Sequence, residues 1–249
     1  MRAIGVIPAR YASTRLPGKP LARLAGIPLI ERVWRAATHS RELADVVVAT
    51  DDERIADFCR SIGARYAMTP SELPSGTDRI YAALQSYGGE WDVAVNIQGD
   101  EPLITGEMID SLVAALEENV ADVATFVSSI KTSEELSDPS CVKVVLNCRS
   151  EAMYFSRSII PCVRDAELPD WINRFKFFKH IGIYAYKMAA LEKFVGLPPS
   201  SLEIAEKLEQ LRLLEQGAVF LCLETRRKLI GIDTPEDVEA FERYLNGNK

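Results

Sequence analysis

Apolar runs without alternation recur along this chain, each followed by a polar loop and then by a segment of helical period. The first run, Ala3-Ile4-Gly5-Val6-Ile7-Pro8-Ala9, reads as a strand buried on both faces, as in the interior of a parallel sheet. Residues 44–50 (ADVVVAT) give a second such strand, and Asp51-Asp52-Glu53 starts a helix with acids suited to its dipole. A short strand is predicted near 64–67, then a helix from Ser75-Gly76-Thr77 to the Gly88-Gly89 pair, then a strand over 92–97. Thr105 caps a helix running to Glu118. Strand alternating with helix in this way predicts βαβ units and a mainly parallel sheet.

From about residue 123 the pattern changes. Residues 123–130, 142–146 and 181–186 are strand-like with few helices between them, and 154–179 reads as irregular, with basic residues among aromatics. This stretch, about 123–190, is predicted to form a smaller inserted subdomain in one domain spanning 1–249. A strong helix is predicted over 201–216, ending at Gly217, followed by a strand over 219–223. The apolar run 229–232 leads to a last helix with Thr234 as N-cap, Pro235 at its first position and Asp237 three residues after the cap.

The chemistry sits where the strands end. In open α/β sheets ligands bind beyond the carboxyl ends of the strands. The first strand empties into Arg10-Tyr11-Ala12-Ser13-Thr14-Arg15-Leu16-Pro17-Gly18-Lys19, so Arg10, Arg15 and Lys19 are candidates to hold a polyanion, with Gly18 letting backbone amides approach it. The loop lacks the G-x-x-x-x-G-K-[ST] pattern, so it is not a P-loop. In isolation it would read as a basic surface loop, and its position after a buried strand decides otherwise. Asp100 follows the 92–97 strand within Gln98-Gly99-Asp100-Glu101-Pro102. Asp233 follows the 229–232 run. Two aspartates converging from distant strands suit a hard cation such as Mg²⁺, which takes carboxylate and phosphate oxygens and keeps several waters. Asp233 is equally readable as support for the last helix's N-terminus.

Composition narrows the partners. A net charge of −7 argues against general nucleic-acid or anionic-membrane binding, so any cationic site is local. No apolar run approaches the roughly 18 residues of a membrane span, and the N-terminal stretch lacks signal-peptide architecture. Five cysteines, odd in number and without a C-x-x-C pair, read as reduced thiols of a cytoplasmic protein. Two histidines exclude a histidine-rich metal site.

Eight segments carry a family resemblance: IPARYASTRLPGKPL (7–21), SGTDR (75–79), VNIQGDEP (95–102), VKVVL (142–146), YFSR (154–157), HIGIYAY (180–186), LEQLR (208–212) and GIDTPED (231–237). In order and over nearly the whole chain, they resemble the 3-deoxy-manno-octulosonate (Kdo) cytidylyltransferases. The resemblance implies a Rossmann-like nucleotidyltransferase fold, a homodimer, Mg²⁺ dependence, and the reaction of CTP with Kdo to give CMP-Kdo and pyrophosphate for lipopolysaccharide assembly. It implies that Arg15, Lys19 and Asp100 act at the reacting phosphates and that Asp100 and Asp233 hold the metal. It places CTP against Pro8, Ala9, Arg10, Ser13, Arg15, Lys19, Ser75, Gly76, Thr77 and Arg79, with Ser75 also capping its helix. For the sugar, Arg157 or Arg164 would pair the carboxylate, and Gln98, His180, Tyr184, Glu209 and Gln210 would bind hydroxyls.

Without the resemblance, His180 reads as a structural histidine at a strand start, and Glu209 and Gln210 as a solvated helix face. The chain departs from the family pattern at Cys162-Val163-Arg164, where a tryptophan-containing turn is common, and in the short 165–177 stretch. These departures keep an 8-amino analogue of Kdo open as the sugar. A sialic-acid cytidylyltransferase would alter HIGIYAY and LEQLR, and a non-catalytic nucleotide-binding regulator could dispense with both acids.

Overall fold

The computed structural model describes residues 1–12 and 15–247. The chain forms two compact units, Met1–Ala114 with the chain from Lys228 onward, and Ala115–Arg227.

The first unit runs β1 (Ala3–Ala9), a two-residue hairpin of β2 (Arg23–Leu24) and β3 (Ile27–Pro28), α1 (Leu29–Thr38), β4 (Leu43–Thr50), α2 (Glu53–Ile62), β5 (Arg65–Met68), α3 (Gly76–Tyr87), β6 (Val93–Asn96) and α4 (Gly106–Glu118), the last crossing into the second unit. Its four longer strands are all parallel, in the order β6-β1-β4-β5. Strand β1 lies between β4 and β6, which explains why Ala3, Ile4, Val6 and Ile7 are all fully buried. From β1 the chain builds outward to β4 and β5 on one side, then returns to β6 on the other. The crevice at such a reversal of strand order is where α/β sheets bind ligands. The expected caps are present: Ser75 accepts from the Asp78 amide (3.1 Å), and Thr105 from the Met108 amide (3.3 Å).

The second unit holds β7 (Val123–Ser129), α5 (Ser133–Ser137), β8 (Lys143–Leu146), β9 (Ala152–Ser156), α6 (Trp171–Arg174), β10 (Phe178–Lys187), α7 (Met188–Gly196), α8 (Ser201–Glu206), α9 (Leu211–Glu215) and β11 (Phe220–Glu224). Here β11 is parallel to β7, whereas β7–β10, β10–β8 and β8–β9 are antiparallel. The unit spans Ala115–Arg227 and reaches well beyond residue 190, because β11 pairs with β7 and α7 packs on β10 and α9. After it, α10 (Pro235–Gly247) belongs to the first unit.

Three expectations are corrected. Part of the segment read as irregular is strand β9, paired with β8, and α6 and the start of β10 also fall within it. The single helix over 201–216 is two short helices, because Lys207 turns left-handed (φ +54°). Arg212 then folds back onto Glu203, with Nε and Nη2 at 2.7 and 2.6 Å from its two oxygens. In one continuous helix those residues would stand about 13 Å apart along the axis. Finally, 229–232 is not a strand. The Ile232 amide donates to the Asp100 carbonyl (2.9 Å), a bond that ties the segment to the β6 loop.

Candidate active site

A cleft of about 400 Å³ opens in the first unit at the carboxyl ends of its strands. Pro8, Ala9 and Arg10 line it from the end of β1, Gln98, Gly99 and Asp100 from the end of β6, and Ser75, Gly76 and Arg79 from the start of α3. Arg15, Lys19 and Asp233 complete the predicted set. Of the predicted nucleotide contacts, Thr77 stands apart, fully buried on the inner side of α3 and not in the cleft wall. Ser13 lies outside the described residues.

Backbone bonds fix the described ends of the basic loop after β1. The Gly18 amide donates to the Tyr11 carbonyl (3.2 Å), and Gly18 takes φ +67° with the Tyr11 ring close enough to exclude a side chain. The guanidinium of Arg54, from α2, lies 3.3 Å from the centre of the Tyr11 ring and is itself paired with Asp52. A turn of 3₁₀ helix, Lys19–Leu21, follows and sends Lys19 into the cleft.

Lys19 meets both candidate metal ligands. Its Nζ is 2.7 Å from Asp100 Oδ2 and 3.0 Å from Asp233 Oδ1, and Arg15 Nη2 is 3.1 Å from the same Asp233 oxygen. Burial alone would lower the lysine's pKa, but the two carboxylates outweigh it and hold the ammonium above its usual range. Asp100 reaches this point on a loop whose Gly99 passes tight against the Pro8 carbonyl. Asp233 is set by the N-terminus of α10: Asp237 accepts from the amides of Asp233 (2.9 Å) and Thr234 (2.8 Å), and Thr234 Oγ1 accepts from the Asp237 amide (3.3 Å). So Asp233 both neighbours a helix cap and faces the cleft.

Arg79 is a further cation, buried in the cleft wall. Its Nη2 donates to Asp51 (3.0 Å) and its Nη1 to Thr69 Oγ1 (2.5 Å). Asp51 was missed from the sequence although it follows strand β4 as Asp100 follows β6, and that parallel could have found it.

The expected sugar residues, apart from Gln98 in the cleft, belong to the second unit. His180 and Tyr184 lie together on β10, rings 5.2 Å apart, with Phe155 edge-on to His180 at 5.0 Å. Thr125 Oγ1 stands 3.1 Å from His180 Nε2. Burial pushes the imidazole down to about 3, and burial, then Tyr186 and Glu209, push the Tyr184 phenol up. His180 is therefore neutral, with one donor and one acceptor nitrogen. Gln210 is buried rather than on a solvated face, because the chain bends before it. Arg157 is engaged by the carbonyls of Glu206 (2.8 Å), Pro139 (3.1 Å) and Lys207 (3.4 Å). Arg164 is 92% exposed, with Asp165 at 3.7 Å.

A parallel-sheet crevice carrying a basic loop and two convergent carboxylates defines a nucleotide-handling α/β enzyme of the phosphoryl-transfer kind. The sequence profile of a family described as "Cytidylyltransferase" matches residues 4–229. A 3-deoxy-manno-octulosonate cytidylyltransferase of Parabacteroides distasonis is 47% identical over 98% of both chains. One of Chlorobaculum tepidum is 49% identical, again over 98% of both. The solved structure of a CMP:2-keto-3-deoxy-manno-octonic acid synthetase complexed with CTP superposes with a TM-score of 0.92 at 38% identity, covering 100% of each chain. The chain belongs to the cytidylyltransferase family and, within it, to the group named 3-deoxy-manno-octulosonate cytidylyltransferases.

Proposed function

We infer that the chain transfers CMP from CTP to the anomeric hydroxyl of Kdo, releasing pyrophosphate, and so activates the sugar for lipopolysaccharide synthesis. The observation that carries this reading is the convergence of Lys19, Asp100 and Asp233 within 3.0 Å at the crevice of a parallel sheet. The names of the relatives favour Kdo over its 8-amino analogue and sialic acid.

The hydroxyl oxygen bonds to the α-phosphorus as the bond to the pyrophosphate oxygen breaks, and the hydroxyl proton is lost. Such transfers ask little covalent chemistry of the protein, so positioning and charge neutralisation dominate. Lys19, Arg15 and Arg10 bind the triphosphate. Arg79, fixed by Asp51 and Thr69, gives the cleft a rigid donor beside Ser75 and Gly76. Two carboxylates facing one point fit Mg²⁺, which needs only one or two protein carboxylates when phosphates supply the rest. Asp100 and Asp233 would hold it. When bound, Mg²⁺ neutralises phosphate oxygens and acidifies a nearby hydroxyl. No separate general base stands out among the described residues of the cleft, and acidification of the hydroxyl by a bound metal is preferred to Asp100 as the route for its proton.

In the second unit, His180, Tyr184, Glu209 and Gln210 are the residues expected to read sugar hydroxyls. Arg164, more available than Arg157, pairs the carboxylate. The resemblance also carries a homodimer and the cysteine content a cytoplasmic location, which size-exclusion chromatography and cell fractionation test.

The test is pyrophosphate release with CTP, UTP, ATP and GTP, each offered Kdo, its 8-amino analogue and sialic acid. CTP with Kdo alone gives rapid release. Preference for the amino sugar would change the substrate and keep the chemistry, and no release from CTP with any of the three overturns the reading.

A further inference from the structure

The two acids of the cleft already have a cation. Lys19 Nζ donates to Asp100 at 2.7 Å and to Asp233 at 3.0 Å, from a side chain only 18% exposed. An ammonium offers donors and no lone pair, so it cannot share a metal's coordination sphere. A divalent ion taking oxygens at about 2.0–2.1 Å from these carboxylates would need the space and the charge that Lys19 now supplies.

The three side chains are not equally fixed. Asp100 is carried by a loop tied through its carbonyl to the Ile232 amide and pressed at Gly99 against Pro8. Asp233 is carried by a backbone whose amide is bound to Asp237. Lys19 has a rigid backbone, its amide donating to Leu16 (3.0 Å), but a four-carbon stem that can swing its charge toward the cleft. The lysine is the member that can leave.

We propose that Lys19 is a built-in placeholder cation: without nucleotide its ammonium neutralises Asp100 and Asp233, and it releases them only when a triphosphate draws it away. The divalent ion then enters with the nucleotide, not ahead of it. A metal held without nucleotide would leave the enzyme open to binding orders that misplace the phosphates, and the lysine prevents this by a single exchange of partners. Arg15, on the same Asp233 oxygen, reinforces the block. The proposal rests on the cytidylyltransferase reading in taking a triphosphate as the incoming anion.

The experiment titrates Mn²⁺ into the nucleotide-free protein and counts bound ion by electron paramagnetic resonance, with no turnover involved. Lys19→Met, which keeps most of the stem, and Lys19→Gln each remove the placeholder, so either variant that folds suffices. Both should bind Mn²⁺ at least about tenfold tighter than the wild type, because a unit positive charge is gone from beside the ligands. Adding Asp100→Asn to either should abolish the gain. Equal Mn²⁺ affinity in wild type and lysine variants would overturn the placeholder. A gain that survives Asp100→Asn would overturn it too, since the ion would then be bound elsewhere. Failure of the pyrophosphate assay is a separate result, which would remove the functional reading and leave this titration standing.

Discussion

An added Cβ at Gly99 would stand 2.7 Å from the Pro8 carbonyl oxygen, and backbone cannot give way as a flexible side chain can. The loop carrying Asp100 is therefore seated by the absence of a side chain one residue earlier. Gly99→Ala should displace Asp100 and cut turnover at least about tenfold, with a stability loss of about 1–3 kcal/mol, the usual cost of overpacking. Steady-state kinetics beside a urea titration checks both, and unchanged turnover would mean that Asp100 does not depend on this seat. His180 makes a different kind of prediction. Its imidazole is held near 3 in the folded chain by burial, below the 6.5 of an exposed histidine. Below pH 6.5 the unfolded chain takes up a proton that the folded chain refuses. Stability from this residue is thus complete above pH 6.5 and falls as pH drops toward 3, by up to about 1.4 kcal/mol per pH unit. His180→Gln removes this dependence, so the stability gap between wild type and variant, measured by urea unfolding at pH 8, 6 and 5, should shift toward the variant as pH falls.

Among the elements, the α8–α9 pair depends most on one contact. Glu203 and Arg212 form a two-pronged ion pair, with side chains 13% and 5% exposed, and the Arg212 guanidinium also lies 4.0 Å from the Phe194 ring centre. Burial opposes the charge on Glu203, but its bonds to Arg212 and to the Ser200 amide outweigh it and hold its carboxyl below the usual range. Glu203→Gln removes the negative charge from this two-pronged pair and should cost about 3–5 kcal/mol in urea unfolding. A cost under about 1 kcal/mol would show that the pair does not organise the two helices. The break itself was not legible, because apolar spacing over 201–216 is shared by one helix and by two helices packed on the same core. The left-handed Lys207 and the return of Arg212 are long-range outcomes that periodicity does not encode. By contrast β1, β4 and β6 were legible, since strands buried on both faces leave short apolar runs between turn residues, although the run 229–232 shows that such a run need not be a strand. The caps at Ser75, Thr105 and Thr234 were legible because capping is local chemistry. Asp233 falls between these cases: its helix start was written in Thr234-Pro235, but its meeting with Asp100 depends on a backbone bond from Ile232, not on a strand.

At the scale of the whole chain, the described residues lining the candidate nucleotide cleft all belong to the first unit and come from segments far apart in sequence, while the second unit carries all the expected sugar ligands except Gln98. The first set could be read from sequence because strand-end loops in a parallel sheet share one edge by construction. The second could not, because its positions follow from antiparallel pairing and from the short helices after β10, and only the family resemblance pointed to them. Asp100 and Asp233 are expected to act together on the phosphates of CTP without holding the fold. The decisive experiment is single-turnover release of pyrophosphate from CTP and Kdo at limiting Mg²⁺, comparing wild type with Asp100→Asn and Asp233→Asn proteins of unchanged thermal stability. Loss of a metal-ligating charge predicts a rate at least about a hundredfold lower in each variant, on the scale set by removing one transition-state stabilising group. A near-wild-type rate in either would contradict the account.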